Sequence, residues 1–389
     1  MRYGSIVAAI VMACPVSAAS GDLDGLFREV GALGEPLQLA AEPDGALLVR
    51  VGRSTHTAVV RTRGHGTGAI PLFENDLATL SDPGFVVLPA GNVLVSGCLP
   101  RTHHGYVERH EASGALDARF ASGSGRALFP GGVVQSGPVV RSDGTILAGG
   151  SAGGVARLAR YGEDGTLDPT FGVGGVVTGP FGGFLSIAVL PDGATLAMTS
   201  SRLLRYRADG SLDLTFGAAG VVDLRPHFSS APTLDPAGLP SCGGPVEVDA
   251  YLSGAPFVVR RQRSGHIVLV GTIEVGAERR LRVVRLDADG QLDRTVAGGT
   301  GRRDVRAGAH AVLSGYGPHL PLVVQADGRL VIAGNTDRGP VLVRYGADLT
   351  AGGYAPARTA RSVLSLPDGR PLTAVLLRRP AFVANPEHP

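Results

Sequence analysis

Residues 158–177 read LARYGEDGTLDPTFGVGGVV, and residues 203–222 read LLRYRADGSLDLTFGAAGVV. The two stretches are one sentence written twice. Between them, residues 186–200 (SIAVLPDGATLAMTS) hold two short apolar runs hinged on Pro191-Asp192-Gly193. Asp-Gly between apolar runs is turn chemistry: glycine accepts the positive φ of a tight hairpin, and aspartate satisfies nearby backbone N–H groups. The unit therefore predicts strand, PDG turn, strand, loop, strand, DG turn, strand. A four-stranded meander cannot bury its faces alone, so it must pack against copies of itself.

The first turn recurs along the whole chain, as Pro43-Asp44-Gly45, Pro89-Ala90-Gly91, Ser142-Asp143-Gly144, Pro191-Asp192-Gly193, Arg263-Ser264-Gly265, Ala326-Asp327-Gly328 and Pro367-Asp368-Gly369. From Gly45 to Gly369 is 324 residues over six intervals, a mean period of 54. The second turn returns at Gly114, Gly165, Gly210 and Gly290, and is degenerate near 64–68 and 346–348. The last unit stops short: residues 380–389 (PAFVANPEHP) align with 340–349 (PVLVRYGADL), while residues 21–27 (GDLDGLF) match 210–216 (GSLDLTF). An N-terminal strand paired into the last unit removes the open edges of a linear array. These features predict an all-β chain: a seven-bladed β-propeller of four-stranded blades, closed by residues 21–27. It forms a single domain over 20–389, with insertions at about 223–256 and 297–320.

The RYxxDGxLDxTFGxxG and LxPDGxxLxxG pieces resemble the delta-60 repeat of bacterial secreted proteins and, more loosely, the NHL-type blade. The resemblance is strong over 155–222, fair over 106–129 and 282–296, and weak over 58–85. It implies a propeller and no particular activity, since the fold hosts binding, scaffolding and several chemistries.

Residues 1–19 have the form of a signal peptide, with Arg2 as the basic start, an apolar stretch over 4–13, and Ser17-Ala18-Ala19 before the cut. This predicts a secreted or periplasmic protein. Val11-Met12-Ala13-Cys14 is a loose lipoprotein box, so anchoring through Cys14 is the variant reading. No later run reaches the roughly 20 apolar residues of a membrane-spanning helix. The 36 basic residues are all arginine and face 34 acidic ones, for a net charge of +2 without a basic run. That balance argues against nucleic acid as the partner.

Several residues invite a chemical reading. With the signal removed, Cys98 and Cys242 are the remaining thiols, and in an oxidising compartment they are a possible disulfide. Their units are not neighbours, so a bridge requires the 223–256 insertion to fold over the channel mouth as a lid. Asp287, Asp289 and Asp293 bunch carboxylates without EF-hand spacing. His103, His104 and His110 could offer metal ligands, but no fourth ligand is evident. Gly149-Gly150-Ser151-Ala152-Gly153 fits GxSxG, yet VARLARY continues it as a strand where a nucleophile elbow needs a helix. Gly64, Gly66 and Gly68 fall in a degraded hairpin rather than between strand and helix. No catalytic, cofactor or metal site follows.

The repeated residues have structural roles without a ligand. Phe171 and Phe216 are expected to wedge into the neighbouring blade, Leu167 and Leu212 to face between blades, and Asp168 and Asp213 to accept backbone N–H groups. Both short turns lie on one face of the ring. The other face carries the variable loops, where binding usually resides. The expected function is a non-catalytic extracytoplasmic binding or scaffold propeller for a protein, glycan or envelope component. The alternative is a lyase or hydrolase acting at the channel mouth.

Overall fold

A computed structural model of the protein describes residues 6–12, 35–41, 47–52, 57–62, 69–75, 84–99, 102, 104–228, 256–275, 278–304, 322–325, 327–336, 339–356, 360–365 and 371–378. Among these residues the chain forms antiparallel sheets in sequence order. Sheet one is Glu35–Ala41, Leu47–Gly52, Thr57–Thr62 and Ala69–Asn75. Sheet two is Gly84–Val87, Val93–Cys98, Gly105–His110 and Arg126–Leu128. Sheet three is Val133–Val140, Ile146–Ala152, Val155–Tyr161 and Val176–Phe181. Sheet four is Ser186–Val189, Thr195–Met198, Arg202–Tyr206 and Val221–Asp223. Sheet five is Pro256–Arg261, Ile267–Val275, Glu278–Leu286 and Arg302–Asp304. Sheet six is Leu322–Val324, Leu330–Thr336, Gly339–Tyr345 and Ala351–Pro356. In each of these six sheets the strands pair in sequence order.

The last sheet differs. Ala360–Ser365 pairs with Pro371–Arg378, and the other edge of Pro371–Arg378 is taken by Ile6–Met12, from Ile6 opposite Arg378 to Met12 opposite Leu372. That third position was expected for residues 380–389, which lie outside the described residues, as do residues 21–27, the expected closing strand. Ile6–Met12 reads IVAAIVM, a run of apolar and β-branched residues that suits a strand edge as well as a signal sequence. The first strand of each sheet touches the first strand of the next, and Ala360–Ser365 touches Glu35–Ala41. The first strands therefore lie innermost.

The core is a series of layers between successive sheets. Phe171, Val177 and Leu158 meet Ile187, Ala197 and Tyr206 between sheets three and four. Phe216, Val222 and Leu196 meet Val259, Leu269 and Leu286 between sheets four and five. Corresponding layers lie between sheets one and two, two and three, and five and six.

Each letter of the repeat has a place in this stacking. The arginine ending the third strand donates from Nε to the LD aspartate: Arg109 to Asp117 at 2.9 Å, Arg160 to Asp168 at 2.8 Å and Arg285 to Asp293 at 2.7 Å. The same guanidinium then crosses from Nη1 to a turn carbonyl of the next sheet, Arg109 to Glu163 at 2.6 Å, Arg160 to Ala208, and Arg285 to Ala347. Arg61 reaches Ala112 in the same way at 2.6 Å, although its own unit has lost the DG signature. One residue past the repeat phenylalanine, Ala121, Gly172 and Gly217 donate N–H groups to the carbonyls of Asp164, Asp209 and Asp289 in the next sheet, at 2.6, 2.8 and 2.8 Å.

Phe171 and Phe216 wedge as expected. A Cβ added at Gly210 would lie 3.1 Å from the Phe171 ring and one at Gly290 2.8 Å from the Phe216 ring. The DG glycine is thus required twice, for its positive φ (+84° at Gly290) and for the ring lying on it. Leu212 faces between sheets as expected, packed on the layer between sheets three and four, whereas Leu167 is exposed and rests on Gly175 of its own loop.

The insertions also begin later than the sequence reading placed them. Asp223 ends a strand, and Leu224 and Phe228 just after it are buried between sheets four and five. Residues 297–304 hold a short 3-10 turn, Ala297–Gly299, and the fourth strand of sheet five.

Candidate functional site

Counted back from the first-turn glycine, the fifth and fourth residues preceding it close the innermost strand. They are Val86 and Val87, Val139 and Val140, Ala188 and Val189, and Arg260 and Arg261 in sheets two to five. All eight are half-buried, in contrast to the fully buried strand behind them. Side chains alternate across the strand, and the two positions face opposite ways. Val86, Val139 and Ala188 pack toward the following sheet, whereas Val87, Val140 and Val189 pack toward the preceding one. Val258 lies in the layer with sheet six and Val259 in the layer with sheet four. Arg260, two residues after Val258, therefore faces sheet six, and Arg261 faces sheet four.

The remaining units carry Ala40-Ala41, Val323-Val324 and Leu364-Ser365 at these positions. Arg260-Arg261 is thus the one cationic pair in an otherwise almost wholly apolar set. Arg260 donates from Nη1 to its neighbour's carbonyl, Val259, at 2.9 Å. Among the described residues neither arginine meets a carboxylate. Burial pushes the Arg260 guanidinium down from its ordinary value. The nearby acids are already engaged: Asp192 with Arg205, Asp293 with Arg285, and Asp327 with Arg329. The sequence reading did not single out residues 256–261 (PFVVRR). The available signal was a break in apolar character at a fixed distance from the turn.

Among the described residues, those singled out from sequence do not converge on one site. Cys98 ends the second strand of sheet two, is buried, and is disulfide-bonded; its partner, Cys242 and Cys14 all lie outside the described residues. Asp287 accepts the N–H groups of Asp289 and Gln291, and Asp293 is held by Arg285 and Thr295, so this cluster is turn and sheet-stacking chemistry. Ser151 lies in a hairpin running directly from Ile146–Ala152 into Val155–Tyr161, with no helix after it.

His103, His310 and His319 are outside the described residues, and His104 is exposed. His110 is buried, with Nδ1 3.1 Å from the Gly114 carbonyl and Nε2 3.0 Å from Glu108. Glu108 also accepts from Arg126 at 2.8 Å. Burial works to raise the Glu108 carboxyl, but the His110 hydrogen bond and the Arg126 charge outweigh it and hold the group below its ordinary value. His227, at the edge of the first insertion, is pushed down to about 4 by burial and by the Arg302 charge. Among the described residues no set of histidine, cysteine and carboxylate side chains converges as metal ligands would, and no helix is long and apolar enough to cross a membrane.

Four stretches of the chain, residues 141–171, 197–216, 262–295 and 325–351, match the family described as "Domain of unknown function (DUF5122) beta-propeller". They cover both turns of sheets three, five and six and the second turn of sheet four, and with the four-stranded sheets they identify a β-propeller domain. No curated protein matches the chain. Similar solved structures include a protein from Lactobacillus plantarum, at 12% identity over 88% of each chain with a TM-score of 0.47. Sqt1 from Chaetomium thermophilum is 13% identical over 89% of this chain and 82% of its own, with a TM-score of 0.48. Virginiamycin B lyase from Staphylococcus aureus is 10% identical over 88% of this chain and 95% of its own, with a TM-score of 0.46.

Proposed function

We propose that the chain is a seven-bladed, delta-60-type propeller that acts outside the cytoplasm as a non-catalytic binding or scaffold protein, recognising an envelope component through its loop-rich face. The observation that carries this reading is where the repeated charged residues go. Arg109, Arg160 and Arg285, with Asp117, Asp168 and Asp293, are bonded to one another and to the adjoining sheet. Chemistry that recurs in unit after unit serves to build a rigid shell, which leaves recognition to the segments that do not recur. The contacts among innermost strands, including Ala360–Ser365 against Glu35–Ala41, favour a ring over an open array.

On this reading export removes residues 1–19, Ile6–Met12 with them, residues 380–389 take the freed edge of Pro371–Arg378, and residues 21–27 pair beyond them as the fourth strand. The Cys98 disulfide then reaches Cys242 and draws the insertion over the channel mouth. Such a long crosslinked loop contributes on the order of 4 to 5 kcal/mol in the chain-entropy estimate.

The test is co-sedimentation of the purified exported protein with peptidoglycan sacculi and with outer-membrane fragments. A variant in which residues 229–255 are replaced by a short Gly-Ser linker serves as comparison. The exported protein should sediment and the loop-replaced variant, at unchanged melting temperature, should not. Sedimentation of both or of neither overturns the loop-face reading. Mass determination of the mature N-terminus and non-reducing peptide mapping test the cleavage and the Cys98–Cys242 pairing directly.

A further inference from the structure

We infer that Arg260 binds the carboxylate head of an otherwise apolar small molecule at the turn end of the innermost strands, on the side that faces sheet six. The inference concerns a different place from the loop-rich face and stands independently of what that face binds.

Three observations lead to it. Position comes first: in the other units the residue equivalent to Arg260 is alanine, valine or leucine, and its equivalents in sheets two to four are half-buried against the next sheet. The strand needs no polar group there, so the guanidinium is not a requirement of the fold. The second observation is its lack of a partner. Arg109, Arg160 and Arg285 each hold an aspartate, whereas among the described residues Arg260 makes one hydrogen bond, to the adjacent Val259 carbonyl, and meets no carboxylate. A guanidinium presents five N–H donors in a planar fork matched to a carboxylate. Burying such a cation without a counter-charge is costly, and an anion supplied from solution relieves that cost.

The third observation is the company it keeps. Val324 of sheet six packs on the layer that Arg260 faces, and the two equivalent positions in sheets two to four hold valine or alanine and are half-buried. The acids on the elements around Arg260 are already occupied by Arg205, Arg285 and Arg329. A hydrocarbon body with one anionic end fits that distribution. A multiply charged polar ligand would bury charge against valine.

Isothermal titration with decanoate is the direct experiment, with decan-1-ol as the uncharged counterpart and inorganic phosphate as the anion without a hydrocarbon body. The exported protein should bind one decanoate per chain, at least about tenfold more tightly than decan-1-ol, and phosphate weakly or not at all. Arg260→Met keeps the apolar stem, and the other units show that an apolar side chain is accommodated there. It should weaken decanoate about tenfold or more and leave decan-1-ol unchanged, while Arg260→Lys restores part of the difference. Equal affinity for acid and alcohol in the unsubstituted protein overturns the inference without recourse to any variant, as does absence of decanoate binding. Unchanged decanoate affinity in a folded Arg260→Met protein does the same. The loop-replaced variant should bind decanoate normally, so failure of one reading does not carry the other with it.

Discussion

Sheets three and four carry almost the same words, yet their third-strand arginines end differently. Arg160 holds Asp168 and crosses to the Ala208 carbonyl of sheet four. Arg205, its counterpart, lies 3.3 Å from Asp213 but gives its short bond, 2.7 Å, to Asp192 in the first turn of its own sheet. The cause is two residues before that turn aspartate. Sheet three has Arg141, 3.4 Å from Asp143, so the turn carboxylate is already attended and Arg160 is left to cross. Sheet four has Leu190 at that point, and Asp192 draws Arg205 back. The lesson is that the repeat motif specifies the sheet, while residues outside the motif decide how firmly one sheet is tied to the next.

Five experiments bear on that comparison. Acid should have the largest effect, because it acts on every such tie at once. Asp117 and Asp293 are brought down to about 2: burial works to raise both, and the Arg119, Arg109, Thr295 and Arg285 interactions outweigh it. Asp168 and Asp213 are lowered chiefly by the Thr170 and Thr215 hydroxyls, against a smaller burial effect, with the neighbouring arginines assisting. A carboxylate whose folded value lies below its unfolded value, near 4, stabilises fully above the latter and loses that contribution as pH falls through the former. The melting temperature should be flat down to about pH 5 and fall steadily from about pH 4 toward pH 2. A protein equally stable at pH 7 and pH 2.5 would deny the aspartates this role.

Next in size, Phe171→Ala should cost about 3 to 5 kcal/mol in urea unfolding, since the ring is fully buried between sheets three and four. Arg160→Ala should follow at about 2 to 4 kcal/mol, because it strands Asp168 and the Ala208 carbonyl together. Arg205→Ala should cost less than Arg160→Ala, and a result in the opposite order would show that crossing to the next sheet is not what distinguishes them. The smallest effect belongs to Asp192→Ala, under about 1 kcal/mol, as its pair with Arg205 is largely exposed. A double-mutant cycle of Arg205 with Asp192 sharpens the point: it should give weak coupling, whereas Arg160 with Asp168 should give strong coupling.

The same contrast explains what the chain disclosed in advance. Strands, turns and the phenylalanine wedge were legible because each is fixed within a few residues: Gly210 beneath Phe171 follows from turn chemistry and a periodic aromatic. Arg302–Asp304 was not legible as a strand, since its sequence, RRD, has no apolar side to declare itself. It is held by pairing with Arg282, Val283 and Val284 and by the Arg282–Asp304 bond at 2.7 Å. Pairing of Ile6–Met12 with the last sheet depends on an edge more than 350 residues away, which no local pattern reveals. The cationic pair at 260–261 was in plain view in the sequence. Recognising it needed the structural fact that this level of the inner strands in sheets two to five is half-buried rather than fully buried.

Where Arg61, Arg109, Arg160 and Arg285 cross between sheets, and where Ala121, Gly172 and Gly217 donate N–H groups, the bonds all run one way, toward the sheet that follows. A unit so built has a donating side and an accepting side, like a link with a hook and an eye. Copying a unit in tandem produces a new junction chemically identical to the old ones, so growth by duplication requires no invention at the joint. Nothing in that hook-and-eye chemistry fixes the number of links. In a propeller, growth ends through curvature, when the last donating side comes round to the first accepting one.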